Sequence, residues 1–221
     1  KQDDALRVEL AALVRQHGAY SPRTVDPAGE LAKLRSTLCD HPAALDALRR
    51  ALHTLRVNDG LLNEAQLPLL RALADSYEAI GDYESAQRAL RYGFRVHGMG
   101  RGELTPAILQ DSLAYFQRAR DIFIDPRSPQ NLGLFFEAYE DNRQMYEAQS
   151  APRAPTTEPA WPKRKAIALS HLRNLYIILG TNLDLYQAVS GDPGRAGVEF
   201  MQRSQLLTFS RGRKLLEALL A

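Results

Sequence analysis

Between Leu67 and Ile80 the apolar side chains return every three or four residues, at Leu70, Leu73, Ala74, Tyr77 and Ile80, with polar residues between them. That period predicts an amphipathic helix. Pro68 suits its first turn, where a missing N–H costs nothing. Gly81-Asp82 then interrupts the pattern: glycine takes the left-handed conformation that ends a helix, and aspartate caps the next one. From Tyr83 to about His97 the stripe resumes at Ala86, Ala89, Leu90 and Phe94. Gly93 is expected to let a neighbouring helix come close. So short a connection makes the two helices antiparallel neighbours.

The same pattern occurs once before. Shifting the chain by 42 residues lays Leu31 on Leu73, Leu38 on Ile80, Asp40 on Asp82, Ala44 on Ala86 and Leu48 on Leu90. His17-Gly18 falls on Asp59-Gly60, at the connection before each unit. A third unit is expected from Ala166, where Leu169, Leu172, Tyr176 and Gly180 follow the first-helix pattern, with a short second helix from Leu183 to Val189.

Leu70, Leu73, Ala74, Tyr77, Ala86, Leu90 and Gly93, with Gly81-Asp82 at the turn, resemble the tetratricopeptide repeat (TPR) signature. The first unit matches through Ala28, Leu31, Ala32, Ala44, Leu48 and Ala51, with Arg35 in place of the aromatic and Cys39 in place of the glycine. The 42-residue period is similar to the long-helix variety found in kinesin light chains and many bacterial proteins. The stretches His17 to Pro22, Arg56 to Leu61 and Gln66 to Pro68 resemble a group of gammaproteobacterial repeat proteins that often carry export signals. The resemblance spans about residues 1–125. It implies an all-α fold, in which TPR-like helical hairpins build a right-handed α-solenoid with extra C-terminal helices. It also favours a periplasmic or exported location, with the cytoplasm as the alternative.

Helices continue beyond the two aligned units. Thr105-Pro106 opens a helix with a stripe at Ile108, Leu109, Leu113, Phe116 and Ile122, closed by Asp125-Pro126. Ser128-Pro129 opens another, aromatic-rich, with Leu132, Phe135, Phe136, Tyr139, Met145 and Tyr146 on one side, a narrow helical stripe that reads first as core between stacked helices and second as a binding surface. Residues 151–162 hold four prolines and read as a linker. Residues 163–221 read as a further helical repeat and a capping helix ending in Leu215-Leu216-Glu217-Ala218-Leu219-Leu220. The expected division is therefore 1–125, 126–150, 151–162 and 163–221.

Composition narrows the function. The chain has 28 basic and 26 acidic residues, too even a balance for a nucleic-acid footprint. The surplus is local, with 10 basic and 5 acidic residues from Ala151 onward. Cys39 is the single cysteine, expected as a small core residue, so neither an intrachain disulfide nor a thiolate cluster forms. None of the five histidines stands three to five residues from another histidine or from the cysteine, which leaves no ordinary zinc pattern. No nucleophile elbow, P-loop or dinucleotide fingerprint is present. Gly98-Met99-Gly100-Arg101-Gly102 lacks the preceding strand and the lysine-serine ending of a phosphate cradle. Glu137 and Glu140 lie one turn apart on a side that reads as solvated, where paired carboxylates do no acid–base work. No run of eighteen apolar residues occurs, so no transmembrane helix is expected.

These features predict a protein-interaction scaffold or assembly subunit, without catalysis, metal or cofactor. Carried over by repeat position, the groove residues that would touch a protein or peptide partner are Lys33, Ser36, Arg71, Asp75, Glu78 and Asn174. Phe135, Phe136, Tyr139, Phe209 and Leu216 are the expected self-association surface of a homo-oligomer or larger complex. The alternative is an accessory module that recognises an anion through Lys163, Arg164, Lys165, Arg173, Arg211, Arg213 and Lys214.

Overall fold

The computed structural model describes residues 2–125, 132–150, 161–180 and 197–220. All regular structure among them is helical. The helices are α1 (Gln2–His17), α2 (Val25–Thr37), α3 (His41–Asp59), α4 (Leu67–Ala79), α5 (Tyr83–Val96), α6 (Pro106–Ile124), α7 (Leu132–Ser150), α8 (Trp161–Gly180) and α9 (Gly197–Leu220). They fall into two compact units, Lys1–Met99 and Gly100–Ala221. The division lies in the glycine-rich turn after α5, ahead of the Asp125-Pro126 break at which the sequence reading ends the repeats.

At the two intra-hairpin turns of the first unit the 42-residue register is reproduced bond for bond. The Asp40 side chain accepts from the Ala43 N–H at 3.3 Å, and Asp82 accepts from the Ser85 N–H at 3.0 Å. The Asp40 N–H reaches back to the Arg35 carbonyl at 2.9 Å, as the Asp82 N–H does to Tyr77. These are the closing bonds of a Schellman turn, which places the preceding residue in the left-handed region. Gly81 sits there with φ 78°, and Cys39 occupies the same place with φ 60°. Cys39 is therefore an exposed turn residue, not the core residue its apolar character suggested.

Helices α2 and α3 form one hairpin and α4 and α5 the next, with α4 also packed on α3 and α1 packed on α2. Leu31, Ala32, Ala44, Leu45, Leu48, Leu52, Leu70, Leu73, Ala74 and Ala86 form one continuous core. Each hairpin buries its stripe only with its neighbour's help, the usual energetics of repeat stacking. A methyl group built at Gly93 would meet Leu67 at an ordinary 3.7 Å, so close helix approach does not require glycine there.

In the second unit α7 packs on α6 and α8, α6 also meets α8, and α9 packs on α8. Phe123, Phe135, Tyr139, Leu175 and Ile178 form the apolar core, with Phe123 and Phe135 stacked at 4.6 Å. The Thr105 hydroxyl caps α6 by accepting from the Ile108 N–H at 3.2 Å, as the sequence predicts. Trp161 and Pro162 already belong to α8, so the helix starts inside the expected linker. The rest of that linker, 151–160, and the helix expected at Leu183 to Val189 lie outside the described residues.

Candidate partner-binding surface

Five of the six expected groove residues lie on the first helices of the two hairpins. Lys33 is exposed on α2, and Arg71 and Asp75 are exposed on α4. Ser36 and Glu78, equivalent by the 42-residue shift, are half-buried. The Ser36 hydroxyl lies 3.3 Å from that of Ser76, which is buried on α4. The two first helices thus run side by side and present one mixed polar face.

Asn174 is a correction. It is buried, and its side-chain oxygen accepts from the Arg120 guanidinium at 3.0 Å. The repeat register in α8 is shifted from the expected one: Ile167, Ala168, Ser170, His171, Asn174, Leu175 and Ile178 are buried, whereas Tyr176 is 78% exposed. A polar residue faces inward here because an arginine of α6 supplies its hydrogen bond, so polarity did not signal solvent.

That pair belongs to a buried polar layer that sequence reasoning missed. The Arg120 guanidinium also reaches the Ser170 hydroxyl at 3.0 Å, and the Asn142 amide donates to the same oxygen at 3.2 Å. Burial, and then the neighbouring Arg173, lower the Arg120 pKa to about 10. The Tyr115 hydroxyl donates to Asp141 at 2.9 Å. Beside this layer the His171 ring stacks on Tyr139 and Tyr146, with centroids 5.4 and 5.9 Å away. Burial first, then Arg143 and Arg211, push the His171 pKa down to about 4. The only sequence signal was polar residues standing within apolar stripes, Arg120 between Phe116 and Phe123 and Asn142 between Tyr139 and Met145.

Of the two readings of the aromatic stripe, the core one holds for Phe135 and Tyr139. Phe135 and Tyr139 are core residues of the second unit and Phe136 is half-buried, so these rings are spent on intrachain packing. Phe209 and Leu216 on α9 are exposed, at 59% and 45%, with Leu206 at 67% on the same side. Of the basic residues, Arg211 hydrogen-bonds Tyr139 and Arg213 pairs with Glu217 at 3.4 Å. Glu140 is held by Arg143 and Gln144, and the Arg143 hydrogen bond keeps its carboxyl below the usual range.

Among the described residues no group of three or more His, Cys, Asp or Glu side chains is placed to hold a metal ion. No described helix is long and apolar enough to cross a membrane.

No protein-family model and no curated protein matches the chain. Among solved structures it is similar to the crystal structure of a kinesin light chain from Podosopora anserina with nearly identical TPR-like repeats. The match covers 95% of this chain and 86% of that one at 16% identity, with a TM-score of 0.57. Likeness at that identity speaks for architecture alone. The protein has a TPR-like helical-repeat fold.

Proposed function

We propose that the protein is a non-catalytic interaction scaffold that holds an extended peptide or a helix of a protein partner along the shared face of α2 and α4. The observation that carries this reading is the Ser36–Ser76 approach, which brings together α2 and α4, the helices that carry the exposed Lys33, Arg71 and Asp75. A rigid surface of stacked helices loses little entropy when a partner binds. Alternating cations and anions on it suit a partner of mixed charge, read by complementarity.

The test is affinity capture from native extract with wild type beside an Arg71→Ala/Asp75→Ala/Glu78→Ala variant whose circular dichroism is unchanged. A partner held by wild type and lost by the variant is expected. Equal capture by both moves the surface elsewhere.

A second surface is supported by the exposed Leu206, Phe209 and Leu216 of α9, which suit self-association. Sedimentation of wild type against Phe209→Glu measures it. We further propose the long-repeat type and export to the periplasm, both resting on the sequence resemblance.

A further inference from the structure

The 42-residue register allows the two helix intervals of the first unit to be compared position by position. One interval runs between α1 and α3 over α2, and the other between α3 and α5 over α4. The second is plugged. Gln66 is fully buried, accepts from Arg56 at 3.1 Å and donates to the Gly60 and Leu61 carbonyls at 3.0 Å. Arg56 lies over the Tyr92 ring at 4.3 Å, the Tyr92 hydroxyl donates to Leu61, and Leu70 is buried beneath in the core.

Every one of those plugging residues has a different counterpart in the first interval. Thr24 stands for Gln66, Val14 for Arg56, Arg50 for Tyr92 and Ala28 for Leu70. The result is a cavity of about 700 Å³ lined by residues of α1, α2 and α3. That is the size of a small-molecule site. Its floor is apolar, with Leu10, Ala28, Leu31 and Ala47 among the lining residues.

Its charge is predominantly positive. Arg7, Arg15, Arg35 and Arg50 line it against the single carboxylate Asp46. Arg35 is engaged by Asp3 and Arg50 by Asp46, each at 3.0 Å. Arg7 and Arg15 carry no ion pair among the described residues. The second interval explains why Arg7 is left so. Its counterpart Arg49 donates to the Tyr77 hydroxyl at 2.8 Å, but the counterpart of Tyr77 is Arg35, a cation that cannot accept.

We infer that the α1–α3 cavity is a binding site for a small amphipathic anion, an alkyl chain carrying a carboxylate. The chain lies on the alanine and leucine floor, and Arg7 and Arg15 hold the head group. Binding here is independent of the α2–α4 face proposed for a protein partner.

Calorimetric titration of the full chain with dodecanoate, below its micelle concentration, tests this. One saturable site is expected, with dodecanol binding at least tenfold more weakly. Arg7→Gln/Arg15→Gln is expected to weaken dodecanoate at least tenfold. Two variants copy the plugged interval: Ala28→Leu from below, and Arg50→Tyr at the exposed rim, which leaves the core untouched. Each is expected to reduce binding at least tenfold with an unchanged melting curve. Absence of a saturable site, equal binding of dodecanol, or full binding by a folded Arg50→Tyr protein overturns the inference.

Discussion

Arg120 of α6 and Asn174 of α8 meet at 3.0 Å inside the second unit, the charged donor and the neutral acceptor both buried. A buried guanidinium keeps its charge only while acceptors replace the water it has lost. The Ser170 hydroxyl and the Asn174 amide oxygen are those acceptors. They hold α6 and α8 in one register.

Asn174→Leu, which puts an apolar side chain of similar size at this buried position, is therefore predicted to destabilise the protein by about 2 kcal/mol, the worth of a hydrogen bond to a charged group. Arg120→Leu/Asn174→Leu is predicted to recover part of that loss, since it removes the stranded charge as well. Urea unfolding of the double-mutant cycle measures the coupling. Additive losses would show that the two residues act separately.

His171 makes the second unit sensitive to mild acid. Its pKa is about 4 in the folded chain, against 6.5 for an unperturbed histidine. Between those values the unfolded chain binds a proton that the folded chain refuses, so stability is complete above about pH 6.5 and falls as pH drops toward 4. Arg143 and Arg211 add to the burial that causes this, and Glu140 opposes it. The predicted loss between pH 7 and pH 5 is about 2 kcal/mol. His171→Phe, which keeps the ring between Tyr139 and Tyr146, should flatten the stability profile over that interval. An unchanged slope would assign the acid sensitivity to other groups.

Cys39 stands where the equivalent turn has Gly81, and takes the left-handed backbone that costs a side-chain-bearing residue about 1–2 kcal/mol. Glycine returns part of this through its freedom in the unfolded chain. Cys39→Gly is thus predicted to raise stability by about 0.5–1 kcal/mol, read from the midpoint of urea unfolding. The wild-type thiol, exposed in the folded state, should react fully with a thiol reagent without denaturant. A thiol that reacts only after unfolding would contradict this placement.

The sequence by itself determined the local architecture of the first unit. The α2–α3 and α4–α5 turns depend on bonds between residues at most six apart, made by Asp40, Asp82 and the left-handed position before each. Helix period and turn chemistry are local, so they can be read along the chain. The placement of α2 and α4 follows from that register, which is why Lys33, Ser36, Arg71, Asp75 and Glu78 fall on adjacent helices. The tertiary structure alone decided which polar residues are interior. Asn174 looked solvated because its partner, Arg120, is 54 positions away, and nothing local records such a bond. It also decided what covers Phe135 and Tyr139, which helical spacing already marked as core: the apolar surface over them comes from α6 and α8. The α1–α3 cavity arises in the same way. No single residue encodes it; it appears where Val14, Thr24 and Ala28 stand in place of larger side chains, and emptiness of that kind exists only once the helices have packed.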